Sequence, residues 1–241
     1  MNLAEATILI VDDEPELLEI FAVWLGRSGC KVLTAVNGAE ALKVLNAQVP
    51  PSTIDALVSD IRMPIMDGMT LVRRIYEQQL LIPSIIFVSG FGDIDVREMY
   101  SLGVEAMLAK PLSRHQLLHA LECSLKDRSE LWTEPLAESP GQSVTLTLES
   151  LETSLSDNSF AIGRGGCCIG VETPIAEEQT VSLSIRFAKE GLHWEGQGMV
   201  RWYRAKEQRA GIEFSYIAPA SRAWVIAQMN GKAKFSFIPR C

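Results

Sequence analysis

Five short apolar runs alternate with stretches of helical periodicity through the first 128 residues. The runs are TILIV (7–11), KVLTA (31–35), DALVS (55–59), SIIFV (84–88) and EAMLA (105–109). Between and after them, residues 15–27, 38–48, 68–79, 93–101 and 113–128 space their apolar side chains at helical intervals, as Leu17, Leu18, Phe21 and Leu25 do. Strands that alternate with helices form a parallel sheet covered on both faces, which is why the runs are continuously apolar rather than alternating. Right-handed crossovers then place helices on both sides. The expectation for residues 1–128 is an α/β, doubly wound, five-stranded parallel sheet.

Residues 129–141, SELWTEPLAESPG, break this pattern with two prolines, a glycine and three acids, and read as a linker. Leu131 and Trp132 within it are candidates to pack on a domain. From residue 142 the period becomes two. SVTLTLE (143–149), GCCIGVE (166–172), TVSLSIRF (180–187), GQGMVRWYR (196–204) and AGIEFSYI (210–217) read as half-buried strands separated by turn residues. Several short antiparallel strands favour a small β-barrel, because closure removes exposed edges. APASRAWVIAQMNG (218–231) reads as a C-terminal helix, with Ser221 near its start and Gly231 after its end. The second domain is expected over 142–241.

The chain has 241 residues and a formal net charge of −8, unevenly spread. Residues 1–141 carry 20 acids against 11 bases, and residues 142–241 carry 10 against 11. Neither half is basic enough to argue for DNA, and no helix-turn-helix pattern appears. No stretch approaches ~20 uninterrupted apolar residues, so no membrane insertion is expected. The N-terminus lacks a basic region before a long apolar run, so it does not read as a signal peptide. Five cysteines, Cys30, Cys123, Cys167, Cys168 and Cys241, form no C-x-x-C. They are expected as reduced thiols in a cytoplasmic protein. His115 and His119 lack the glutamate of H-E-x-x-H and read as a surface pair.

Chemistry concentrates where the apolar runs end. In an open α/β sheet, ligands bind beyond the carboxyl ends of the strands. Asp12 and Asp13 follow the first run, Asp60 the third, Ser89 the fourth and Lys110 the fifth. At ~4 Å two carboxylates repel by ~4 kcal/mol at an effective dielectric near 20. A hard divalent cation relieves this, and oxygen ligands suit magnesium. With a cation beside it, one carboxylate can act as a nucleophile towards a phosphoryl group. The cation and Lys110 would offset charge on the transferring oxygens, and the Ser89 hydroxyl could donate to one of them. Taken singly, Asp13 reads as a helix N-cap, Asp67 as a cap or turn residue, and Glu14 as a solvated first-turn acid.

Residues 5–128 resemble a response-regulator receiver domain, of flavodoxin-like topology. The residues that carry the resemblance are VDDEP, DIRMPIMDG, SGFGD and AKP, in order and at the expected separations. The resemblance implies that Asp60 is the phosphoacceptor and that Asp12, Asp13, Asp60 and the backbone carbonyl of Arg62 hold magnesium. It makes Ser89 the switch hydroxyl and Lys110 the phosphoryl-binding lysine, with a Lys110–Pro111 bond able to be cis. It implies a sensor histidine kinase or a phosphotransfer protein as phosphodonor, and self-modification rather than enzymatic turnover. One departure stands out: Met107 occupies the place where the family usually has Tyr or Phe, so the usual readout is in doubt.

Residues 142–218 resemble a PilZ domain, on IGRGGCCIGVE (162–172) and GQGMVRWYRAKEQRAGIEF (196–214). That family is known for binding cyclic di-GMP, but its ligand residues mostly do not carry over. The paired arginines are missing: only Arg128 lies in the linker, with Trp132 four residues on. Aligned on Gly166, Ala161 and Gly163 occupy the acid and serine positions, whereas Asp157 and Ser159 are out of register. Arginine forks match phosphates and guanine edges, so their loss removes the charge-assisted part of binding. A degenerate PilZ-like output acting by protein contact is therefore expected, without an ordinary cyclic di-GMP site. The alternative is a cyclic di-GMP effector using atypical residues such as Arg201, Arg204 and Arg209. On VRWYR (200–204), Trp202 is expected in the core and Arg201 and Tyr203 in solvent.

Overall fold

A computed structural model describes residues 3–47, 54–80, 84–90, 95–126, 130–135, 141–232 and 237–239, the side chains of 228–232 excepted. Phe91 to Asp93 of the SGFGD motif, Arg128, part of the linker and Cys241 lie outside the described residues. The chain divides into two compact units. One is Met1–Ile94 with Val104–Asp127, and the other is Asp95–Gly103 with Arg128–Cys241.

In the first unit a 3-10 turn at Leu3–Glu5 leads into β1 (Thr7–Val11), α1 (Pro15–Gly26), β2 (Lys31–Ala35), α2 (Gly38–Ala47), β3 (Ala56–Asp60), α3 (Gly68–Glu77) and β4 (Ser84–Ser89). After α4 (Val96–Ser101) the unit resumes with β5 (Ala106–Ala109) and α5 (Arg114–Leu125). The five strands are all parallel, in the order β2-β1-β3-β4-β5. Ile8, Ile10, Val58, Ile86 and Val88 pack with Phe21 and Leu25 of α1 and Leu117 and Leu121 of α5. Leu9, Leu57 and Phe87 alternate to the opposite face and are also fully buried. Burial on both faces explains the unbroken apolar runs, and the parallel register brings the ends of β1, β3, β4 and β5 to one rim.

The second unit holds β6 (Gln142–Leu148), α6 (Leu151–Ser156), β7 (Phe160–Ile162), β8 (Gly166–Gly170), β9 (Thr180–Phe187), β10 (Leu192–Arg204), β11 (Arg209–Ile217) and α7 (Pro219–Lys232). The strands form one curled sheet in the order β6-β9-β10-β11-β8-β7. β10 shifts register against β11 at Gln197/Gly198 and at Val200/Trp202, irregularities that bend a long strand. One core joins Trp194, Phe160, Phe187 and Phe214, with edge-on ring pairs such as Trp194–Phe214 at 5.3 Å. Trp132 of the expected linker packs edge-on against Phe214 at 5.8 Å. Its carbonyl accepts from the Ile217 N–H and from Arg222 Nη2.

Several expectations need correction. The second sheet is mixed rather than antiparallel, because β6 runs parallel to β9. It fits a barrel only loosely: six strands lie in an open order with β6 and β7 at its two ends. α6 and β7 were not anticipated, α6 because six residues carry little periodicity and β7 because three carry none. α7 continues through Gly231 to Lys232. Cys30 and Cys167 are buried free thiols and Cys123 is an exposed one, but Cys168 is disulfide-bonded rather than reduced.

Candidate functional site

The acids converge because three strands end side by side. The Asp12 N–H donates to the Ala35 carbonyl (3.2 Å), which holds the residue after β1 against the end of β2. Asp60 is the last residue of β3, and its Oδ1 accepts from the Arg62 N–H at 3.1 Å. The Lys110 N–H donates to the Ser89 carbonyl (2.8 Å), pinning the end of β5 to that of β4. The loop after Asp60 is packed against it: a Cβ on Gly68 would lie 2.3 Å from the Asp60 carbonyl oxygen, so only glycine fits there.

Ligand atoms of Asp12, Asp13 and Asp60 all lie within 4.8 Å of one another, the first and last buried and Asp13 exposed. Lys110 Nζ sits 2.6 Å from Asp60 Oδ2, 2.8 Å from Asp12 Oδ2 and 3.4 Å from Glu14 Oε1. One ammonium thus faces three carboxylates. Burial raises the Asp12 pKa above the usual carboxylate value, against the pull of Lys110 and of the Glu14 N–H on its Oδ1. For Lys110 burial alone would lower the pKa, but the Asp12 and Asp60 carboxylates beside it outweigh that and hold the ammonium above its ordinary range.

The residues fit a hard divalent cation. All three clustered donors are carboxylate oxygens, which suit magnesium. Asp12 Oδ2 is buried and, although ion-paired with Lys110, accepts no aligned hydrogen bond. An under-satisfied buried anion of that kind is what a coordinated metal would complete.

The structure brings Asp12, Asp13, Asp60 and Lys110 together. It puts Arg62 beside Asp60 through its backbone N–H, and Ser89 on the adjoining strand end with its hydroxyl donating to the Gly90 carbonyl (3.0 Å). Lys110–Pro111 is cis. Asp67 caps α3, accepting from the Thr70 N–H at 2.6 Å, but Asp13 caps nothing: the N-cap of α1 is Glu14. Glu14, expected as a solvated first-turn acid, is exposed but stands closer to the site than that reading implies. It is a Lys110 partner, and only its position two residues after Asp12 could have signalled it. Met107 is 42% exposed on β5.

In the second unit the three alternative arginines are engaged by their own chain. Arg201 pairs with Glu213 (2.6 Å) and Glu178 (3.0 Å), and Arg204 with Asp95 (3.1 Å). Arg209 Nη1 donates to the Ser159 carbonyl. Asp157 accepts from the Ser159 N–H, a local turn rather than a ligand pair. Trp202 is buried as expected, whereas Arg201 and Tyr203 are only partly exposed. His115 and His119 are exposed, with stacked rings.

The chain matches the family model of the response regulator receiver domain over residues 8–122. The transcriptional regulatory protein GlrR of Escherichia coli (strain K12) is 32% identical over 171 residues, covering 69% of this chain and 38% of that protein. The alkaline phosphatase synthesis transcriptional regulatory protein PhoP of Bacillus subtilis (strain 168) is 31% identical over 124 residues, 52% of this chain and 50% of that one. The chain thus spans half or less of the length of these two relatives. A solved response regulator receiver domain protein from Clostridium thermocellum is 29% identical, covering 50% of this chain and 94% of its own, with a TM-score of 0.46. With the family match falling on the five-stranded parallel sheet and its acidic rim, residues 8–122 of this chain are a response regulator receiver domain of the two-component type.

Proposed function

We propose that Asp60 is the phosphoacceptor of this receiver, and that its modification controls a degenerate PilZ-like output in the second unit. The observation that carries the first part is Lys110 bridging Asp60 and Asp12, with Asp13 in the same cluster. A carboxylate oxygen of Asp60 attacks the phosphorus of a phosphohistidine on a sensor histidine kinase or phosphotransfer protein. A P–O bond forms, the P–N bond breaks, and the imidazole leaves with a proton. Lys110 stays protonated throughout and offsets charge on the phosphoryl oxygens. The Ser89 hydroxyl turns from the Gly90 carbonyl to donate to one of them. Asp12, Asp13, Asp60 and the Arg62 carbonyl would hold magnesium, which when bound would supply charge neutralisation for the transferring group. Water later attacks the phosphorus, releasing phosphate and restoring the carboxylate.

In this reading domains span 1–128 and 142–241, joined by 129–141, and the output works by protein contact. Binding of cyclic di-GMP through Arg201, Arg204 and Arg209 would first require breaking their present pairings, which weighs against that alternative. The test is magnesium-dependent labelling by acetyl phosphate, read by intact mass. Wild type gains one phosphoryl group, and Asp60→Asn gains none. Equal labelling of the two sinks the assignment. Micromolar cyclic di-GMP binding by calorimetry would favour the alternative.

A further inference from the structure

α5 carries a row of metal-ligating side chains on the side that the core does not use. Its buried face is Leu117, Leu121 and Leu125, all part of the receiver core. At about 100° per residue, His115, His119 and Cys123 lie about 200° round the helix from that row, and all three are exposed. They recur every fourth residue, so each stands one turn from the next. The packed leucines and the capping box at Ser113 hold the helix, and this row with it, without any ligand.

The spacing within the row is that of a chelate. Cys123 Sγ lies 3.7 Å from His119 Nε2, and the His115 and His119 rings stack at 6.1 Å with an interplanar angle of 7°. Zinc takes a thiolate at ~2.3 Å and an imidazole nitrogen at ~2.0–2.1 Å, so at a tetrahedral angle these two donors stand about 3.6 Å apart. The Cys123–His119 pair is therefore already spaced for one ion. Donor softness separates this row from the rim. The rim cluster offers carboxylate oxygens, which suit magnesium. Thiolate and imidazole instead suit borderline ions such as zinc and cobalt(II). Cys30 and Cys167 are buried, which leaves Cys123 as the exposed free thiol among the described residues. Among those residues the rim acids are the one cluster of three donors, so α5 presents two at a time, with His119 common to both pairs.

We propose that His119 and Cys123 form a metal site separate from the rim, a two-donor chelate for zinc or a chemically similar divalent ion, with His115 as the alternative partner of His119. On binding, the Cys123 thiol gives its proton to solvent. The sulfur and the His119 nitrogen each donate a lone pair to the ion, and water completes the tetrahedron. The ion bridges one turn of α5 on its solvent face. The site is independent of Asp60 and of magnesium.

The test is anaerobic cobalt(II) titration of the full chain, with magnesium in excess to compete at the rim. Wild type is expected to develop a thiolate-to-cobalt charge-transfer band in the near ultraviolet, saturating at one ion per chain and bleached by zinc. An all-oxygen site cannot give that band, so cobalt at the rim is not mistaken for it. Cys123→Ser should abolish the band. His119→Gln should weaken cobalt binding about tenfold or more. Cys123→His, which keeps a donor one turn from His119, should bind cobalt without the band. These positions are exposed, so circular dichroism should be unchanged in every variant. A band that survives in Cys123→Ser places the thiolate elsewhere and overturns the site. Unchanged affinity in His119→Gln reduces the site to a single thiol and overturns the chelate. Absence of the band in wild type overturns the proposal outright.

Discussion

Asp12 shows how far a receiver strains its own stability to keep a site charged. Its carboxylate is 1% exposed, one of its oxygens accepts no aligned hydrogen bond, and Asp13 and Asp60 crowd it. Burial, more than repulsion by Asp60, opposes its charge, and Lys110 and the Glu14 N–H do not fully offset it. Asp12→Asn, which removes the buried charge, should therefore stabilise the metal-free chain by roughly 1–2 kcal/mol. The pH dependence has a definite sign. Because the folded pKa of Asp12 is raised, the native state holds its proton more firmly than the unfolded chain. Stability from this group is greatest at low pH and falls as pH rises above the ordinary carboxylate value. Urea titrations of wild type and Asp12→Asn between pH 4 and 7 check both points, and a variant less stable than wild type at pH 7 would refute the argument. Saturating magnesium should reverse the order, since the asparagine loses an anionic ligand.

Periodicity made the elements of the receiver legible, and its limits explain what was missed. A strand buried on both faces and a helix of ten or more residues leave signals that local sequence cannot hide, as in β3 and α1. The rim acids were readable for the same reason, since parallel strand ends must share one edge. The pairing partner of β6 was not readable: alternation in SVTLTLE fixes which face is buried, not whether β9 runs with it or against it. α4 was legible as a helix but not as a component of the second unit, because its anchors, Arg204, Glu207 and Phe237, are more than a hundred residues away. α5 closes the receiver on a local device. Ser113 accepts from the Gln116 N–H, and the Gln116 side chain accepts from the Ser113 N–H, a reciprocal capping box. Ser113→Ala should cost about 1 kcal/mol by removing one half of it. Thermal unfolding followed by circular dichroism reads this, and Ser113→Asp, which can still cap, should recover most of the loss.

At the scale of the molecule, each unit owns a separate core, one around Phe21, Ile86 and Leu121 and the other around Trp194, Phe187 and Phe214. Separate cores predict separate cooperativity. The carboxylates proposed to hold magnesium all belong to the first unit, so at a hundred times its dissociation constant the ion should stabilise that unit by about 2.7 kcal/mol and leave the other in place. A perturbation confined to the second unit should do the converse. Gly211 supplies one, because a Cβ there would lie 2.1 Å from the buried Trp202 indole. Gly211→Ala should cost about 1–3 kcal/mol through that overlap, since Trp202 is itself buried in the core. Scanning calorimetry of the full chain should then resolve two transitions, one raised by magnesium and the other lowered by Gly211→Ala. A single transition that responds to both would mean that the units fold as one. Hydrogen exchange over 95–103 assigns α4 within this scheme: its protection should fall with the transition that Gly211→Ala lowers, although the residues on either side of it in sequence belong to the receiver.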